Sequence, residues 1–86
     1  MEITKDRVAM KLLSYLKRQI SISELVDWAE SSIMNKPFKA GEEKVLRDVL
    51  GRLGVADVKA MGLSWEDCDS MMRKLGYKIQ VQAIAA

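Results

Sequence analysis

The stretch Ile20-Ser21-Ile22-Ser23-Glu24-Leu25 constrains the fold of this chain more than any other. Ser21 is placed to cap the start of a helix, and Glu24, three residues on, is spaced to reach back to the cap's own N–H. Ile20 and Leu25 are spaced to close over the cap as a hydrophobic staple. The residues before the corner are also periodic. From Thr4, a cap with Ile3 and Val8 as its staple, a helix is predicted over 5–19, its apolar stripe carried by Val8, Leu12, Tyr15 and Leu16 and widened by Leu13 and Ile20. The helix after the corner is predicted over 22–34, with Ile22, Leu25, Val26, Ala29 and Ile33 as its stripe. The corner therefore reads as the turn of a helical hairpin.

The two helices differ in charge. Between Lys5 and Arg18 five side chains are basic and one, Asp6, is acidic, whereas Glu24, Asp27 and Glu30 are all acid. Favourable packing of one on the other is expected, although each exposed pair contributes only about 0.2–1 kcal/mol. Burial of the apolar stripes must supply most of the stability.

Pro37 breaks the helical pattern, since it lacks an N–H and disfavours helix at Lys36. Phe38, the only phenylalanine, is expected to fold back onto the core or to lie in a short extended segment. A third helix is predicted over 42–53, buried through Val45, Leu46, Val49, Leu50 and Leu53. Glu43 and Arg47 are spaced to pair along it, and Gly54 is expected as its left-handed terminator. Asp57 is placed to cap a single turn ending at Gly62. Ser64 caps a fourth helix over 65–75, with Trp65, Cys68, Met71, Met72 and Leu75 on its apolar face and Gly76 at its end. Beyond it the period changes to two. Tyr77, Ile79, Val81 and Ala83 alternate with Lys78, Gln80 and Gln82, which predicts a strand over 77–82. Its partner would be a segment near Phe38 or Val55, or the same strand of a second molecule. The expected fold is mainly α: one domain over 1–86, a compact irregular bundle of four helices with one short C-terminal β-strand.

Eighty-six residues bury only roughly 60–65% of their surface. An apolar content of 49% with 30% charged residues suits a folded domain, not a disordered one. The net charge of +2 lacks the clustered excess of a dedicated nucleic-acid binder. There is no histidine, which removes histidine-dependent triads and histidine-ligated zinc. Cys68 is the only cysteine, so an internal disulfide and cysteine-only metal sites are excluded. No run approaches the ~20 apolar residues of a membrane span. The polar start, Met1 to Asp6, does not read as a signal peptide. Together these features predict a cytoplasmic protein that needs no cofactor or metal and is not an enzyme.

Five features are weighed as candidates for function. Trp28 lies off the centre of its helix's stripe, beside Ser32, where an aromatic either roofs the core or anchors a partner. Tyr77, Ile79 and Val81 would form a free β-edge, open to strand addition or homodimer formation. The basic face Arg7, Lys11, Lys17 and Arg18 could meet nucleic acid, yet no aromatic is interleaved with it. Glu24, Asp27 and Glu30 drift across a helix surface, and Glu66, Asp67 and Asp69 suit the positive end of the fourth helix; neither set converges as a metal cage would. Cys68 reads as a small core residue, because the nearby carboxylates oppose a reactive thiolate.

The segment Ala60 to Ser64 is similar to a helix-hairpin-helix turn, but Ser64 replaces the second glycine, and Glu66, Asp67 and Asp69 would repel phosphate. Three stretches, Ile20-Ser21 through Glu24 to Glu30, Leu53 to Val58, and Gly62 to Cys68, resemble a group of small, mainly helical, single-domain bacterial proteins of unassigned function. The resemblance implies a bacterial, stand-alone domain and carries over no functional residue. The expected role is a small non-catalytic protein-binding module of the adaptor, antitoxin or immunity type. The alternative is a weak nucleic-acid-binding module using the basic face of the first helix.

Overall fold

The structure is a computed structural model that describes residues 2–35, 37–58 and 62–79. Four helices follow one another: α1 (Lys5–Leu16), α2 (Ile22–Asn35), α3 (Glu43–Leu53) and α4 (Trp65–Lys74). The three expected serine and threonine caps are all made. Thr4 Oγ1 accepts the Arg7 N–H at 3.2 Å, and both staple residues, Ile3 and Val8, are fully buried. At the corner, Ser21 Oγ accepts from the Glu24 N–H at 3.1 Å, and Glu24 Oε1 accepts from the Ser21 N–H at 3.4 Å. Ser64 and Asp67 make the same reciprocal pair at the start of α4, at 3.1 and 3.0 Å. Each box satisfies two amides that a helix end leaves without intrahelical partners.

The core draws on every helix: Val8, Ala9 and Leu12 from α1; Leu25 and Ala29 from α2; Leu46, Val49, Leu50 and Leu53 from α3; Cys68, Met71 and Met72 from α4, with Ile3 and Leu75 beside them. Although the corner joins α1 to α2, α2 packs most extensively on α3.

Several expectations are corrected. The first helix ends at Leu16, not Gln19. Arg18 takes a left-handed backbone (φ 61°), and the amides of Arg18 and Gln19 bond back to Tyr15 O and Ser14 O at 3.0 and 2.9 Å. This closes the helix in the way a glycine usually does. Gly54, by contrast, is right-handed (φ −64°) and donates to Leu50 O at 2.8 Å; single turns continue to Val58. A Cβ at Gly54 would stand 3.3 Å from Leu50 O and 3.7 Å from Glu30 Cγ, so the residue serves close packing. Glu42 precedes α3 as its N-cap residue, although its carboxylate makes no cap bond there. Oε1 instead accepts the Lys5 N–H of α1 at 3.0 Å, with the Lys5 and Lys39 ammonium groups 4.0 and 3.9 Å from Oε2. Glu43 accepts from the Gly41 N–H at 2.9 Å, and Arg47 lies over the Phe38 ring, 5.8 Å from its centroid.

The buried face of α2 is also wider than its aliphatic stripe. It runs from Ser32, fully buried, through Leu25 and Ala29 to Val26, whereas Ile33, in the last turn, is 42% exposed. At about 100° per residue, Ser32 lies about 20° from Leu25 on the helical wheel, on the Trp28 side. Trp65 leaves its expected stripe as well and is 49% exposed at the first position of α4.

Phe38 does lie in an extended segment, but its partner is Ile3. The two form a parallel bridge, with Ile3 N–H to Pro37 O and Lys39 N–H to Ile3 O both at 2.8 Å. The C-terminal strand is not found within the described residues. Tyr77, Lys78 and Ile79 carry no strand pairing, and the remainder of 77–82 lies outside them. The turn expected from Asp57 to Gly62 also falls partly outside. No described helix is long and apolar enough to cross a membrane.

Candidate functional site

The wall of the site is one face of α1. Arg7, Met10, Lys11 and Ser14 fall on successive turns, the spacing that brings side chains together on a helix surface. The opposite wall is Trp28 of α2, and Asp6 closes one end. These residues line an open groove of about 380 Å³. Trp28 stands at the edge of the buried arc of α2: its residue is half-buried, packed against the core and lining the groove. The Lys11 ammonium sits over the ring, 5.6 Å from the centroid. Met10 is 50% exposed and gives the groove a pliable apolar surface.

Two candidates that are separate in the sequence, Trp28 and the Arg7–Lys11 face, therefore meet in one groove. The other two cations do not join them. Lys17 is exposed at the C-cap of α1. Arg18 lines a second open groove at the corner, about 520 Å³ in volume, with Tyr15, Ile20 and Glu24 among its walls. In that groove the one carboxylate is committed to the Ser21 cap.

The tail residues are engaged by the fold. Tyr77 and Ile79 are half-buried against the core, and the Tyr77 hydroxyl donates a short hydrogen bond to Asp6 Oδ1. That bond, with partial desolvation and the carboxylate's charge, raises the Tyr77 phenol above its ordinary value of 10. Val81 lies outside the described residues.

The acidic side chains have structural partners too. Asp67 accepts from Ser64 and from Arg52 Nη2, the latter at 3.1 Å, and these contacts hold its carboxyl below the usual range, the backbone bond from Ser64 foremost. Asp69 pairs with Arg73 at 3.1 Å, one turn on. Burial pushes the Cys68 thiol up, and the neighbouring Asp67 charge adds to this against the opposing Arg52. Among the described residues no three acidic or thiol groups are gathered to hold a metal ion.

Met10 is an exposed apolar residue that the reading of stripes passes over, and Trp65 is one that it places on a buried face. Met10 had a signal: it lies three residues after Arg7 and beside Lys11, at the margin of the α1 stripe. Trp65 had a weaker one. As the first residue of its helix it has no preceding turn to pack against.

Comparison with protein-family models, curated proteins and solved structures returns no match for this chain.

Proposed function

We propose that this chain is a small non-catalytic protein-binding module of the adaptor, antitoxin or immunity type, working in a reducing, cytoplasmic compartment. The observation that carries this reading is the convergence of Trp28, Met10 and Lys11 on one open groove. A partly exposed aromatic beside a pliable methionine, with cations at the rim, has the composition of an interface centre. Two further facts support it. The sequence holds no histidine, and the carboxylates best placed by the fold are used as caps or ion-pair partners: Glu24, Glu42, Asp67 and Asp69. Cys68 is a buried free thiol, which suits a reducing setting.

The nucleic-acid reading has less support. Lys11 covers part of the Trp28 ring, and Arg18 lines a different groove. Homodimer formation through the C-terminal segment stays a separate proposal, resting on the alternation of Tyr77, Ile79 and Val81.

Affinity capture from an extract of the native host tests the reading. The wild-type chain should retain a stoichiometric partner, and Trp28→Ala should lose it. Met10→Glu alters the exposed wall without touching the core and should lose it as well. A chain that stays alone, or a partner indifferent to both substitutions, overturns the proposal.

A further inference from the structure

We infer that the groove between α1 and Trp28 takes an acidic amphipathic segment of a partner protein, its apolar side chain seated against Met10 and Trp28 and its carboxylates on Arg7 and Lys11. The inference rests on the protein-binding reading and adds the chemistry of the partner. Arg7 and Lys11 are one turn apart on the same face, so their charges lie along the groove. Lys11 is held at the wall by the Trp28 ring, 5.6 Å away, so its charge stays beside the apolar surface that an incoming side chain would cover. The one carboxylate of the groove, Asp6, accepts from the Tyr77 hydroxyl at the groove's end. Among the described residues a ligand running along α1 therefore meets two cations and one carboxylate, the carboxylate at the groove's end and the cations along its length. A basic segment would face Arg7 and Lys11 directly, and a wholly apolar one would leave both without carboxylate partners as it covered them.

Nucleic acid fits less well. A stacking platform needs an open aromatic face, and here the ammonium of Lys11 lies over it. A phosphate track along α1 would also need Lys17 and Arg18, yet Lys17 is the C-cap of the helix and Arg18 lies beyond it, in the other groove.

Selection of random dodecapeptides displayed on phage tests the inference, with wild type, Trp28→Ala and the double reversal Arg7→Glu/Lys11→Glu as parallel baits, each checked for helix content. Wild type should enrich peptides in which Asp and Glu flank one or two Leu, Ile or Phe. The strongest, made synthetically and labelled, should lose at least about thirtyfold in affinity to Trp28→Ala. It should lose about tenfold to the double reversal, and its binding should weaken with salt. The reversed bait should enrich basic peptides instead. Peptides that need Trp28 but show no acidic bias overturn this inference and leave the protein-binding reading standing. A failure to enrich any peptide dependent on Trp28 overturns both. Binding of a thymidine oligonucleotide that the double reversal abolishes moves the face to nucleic acid and overturns the inference. A dimer in sedimentation that Met10→Glu dissolves makes a second copy the occupant and does the same.

Discussion

Arg18 and Gly76 occupy the same structural position in two different helix ends. Each is the left-handed residue after its helix, with φ of 61° and 90°, and each is followed by an amide that bonds back into the last turn: Gln19 to Ser14 O at 2.9 Å and Tyr77 to Met72 O at 2.8 Å. One position is filled by the residue without a Cβ and the other by a long, charged one. The left-handed region costs an L-residue about 1–2 kcal/mol, so the α1 end carries strain that the α4 end does not.

Arg18→Gly should therefore stabilise the protein by up to about 1 kcal/mol, part of the gain being offset by the greater freedom of glycine in the unfolded chain. Gly76→Ala should destabilise it by about 1 kcal/mol, through backbone strain alone, because the space around Gly76 is open. Urea denaturation at constant slope checks both.

Ser32 is fully buried, and its hydroxyl has no hydrogen-bond partner among the described residues. A buried hydroxyl without a partner carries a desolvation cost. Ser32→Ala should raise stability by about 1–2 kcal/mol. For a domain of this size each kcal/mol moves the melting temperature by about 4–8 °C, so thermal melting followed by circular dichroism will resolve the change.

Asp67 links the start of α4 to Arg52, and its carboxyl is held below its ordinary value of 3.8. A carboxyl lowered by folding contributes stability that is present above the unfolded value and is lost as pH falls through the folded one. Asp67→Asn should thus be less stable than wild type at neutral pH, and the gap should close below about pH 4. Tyr77 has the opposite sign for a raised group: its contribution is complete below pH 10 and is lost above it, so Tyr77→Phe and wild type should converge in alkali. Denaturation midpoints across pH test both.

Cutting the chain after Gly76 removes Tyr77 and Ile79 from the core and should cost about 1–3 kcal/mol. That cut is therefore the wrong probe of assembly. If the tail pairs between copies, the full chain should sediment as a dimer and a chain ending at Ile79 as a monomer. Identical sedimentation of the two would rule that pairing out.

The caps at Thr4, Ser21 and Ser64 were legible because each is made between residues three apart in the sequence. The faces of α3 and of most of α1 were legible for a similar reason: strong periodicity leaves only one side to bury. What escaped the sequence was decided at a distance. Which residues at the margins of the α2 stripe are covered, Ser32 buried and Ile33 exposed, depends on the neighbouring helices, with α3 the most extensive of them. The end of α1 was hidden because the position that terminates it holds arginine where a glycine would have announced it. The groove itself joins residues of two helices, and nothing in either stripe foretells that Lys11 meets Trp28.

The bridge between Ile3 and Phe38 and the bond from the Lys5 amide to Glu42 tie the first residues of α1 to the segment between α2 and α3. The first helix is therefore not complete until the chain has turned the corner, run the length of α2 and come back. Its opening turn cannot fray alone without breaking contacts made 35 and 37 residues away. In hydrogen exchange the amides of Ile3, Lys5 and Lys39 should therefore be protected together, beyond what a fraying helix end allows. A bundle whose corner is specified by a few adjacent residues is thus tied at its beginning by residues 35 and 37 positions away.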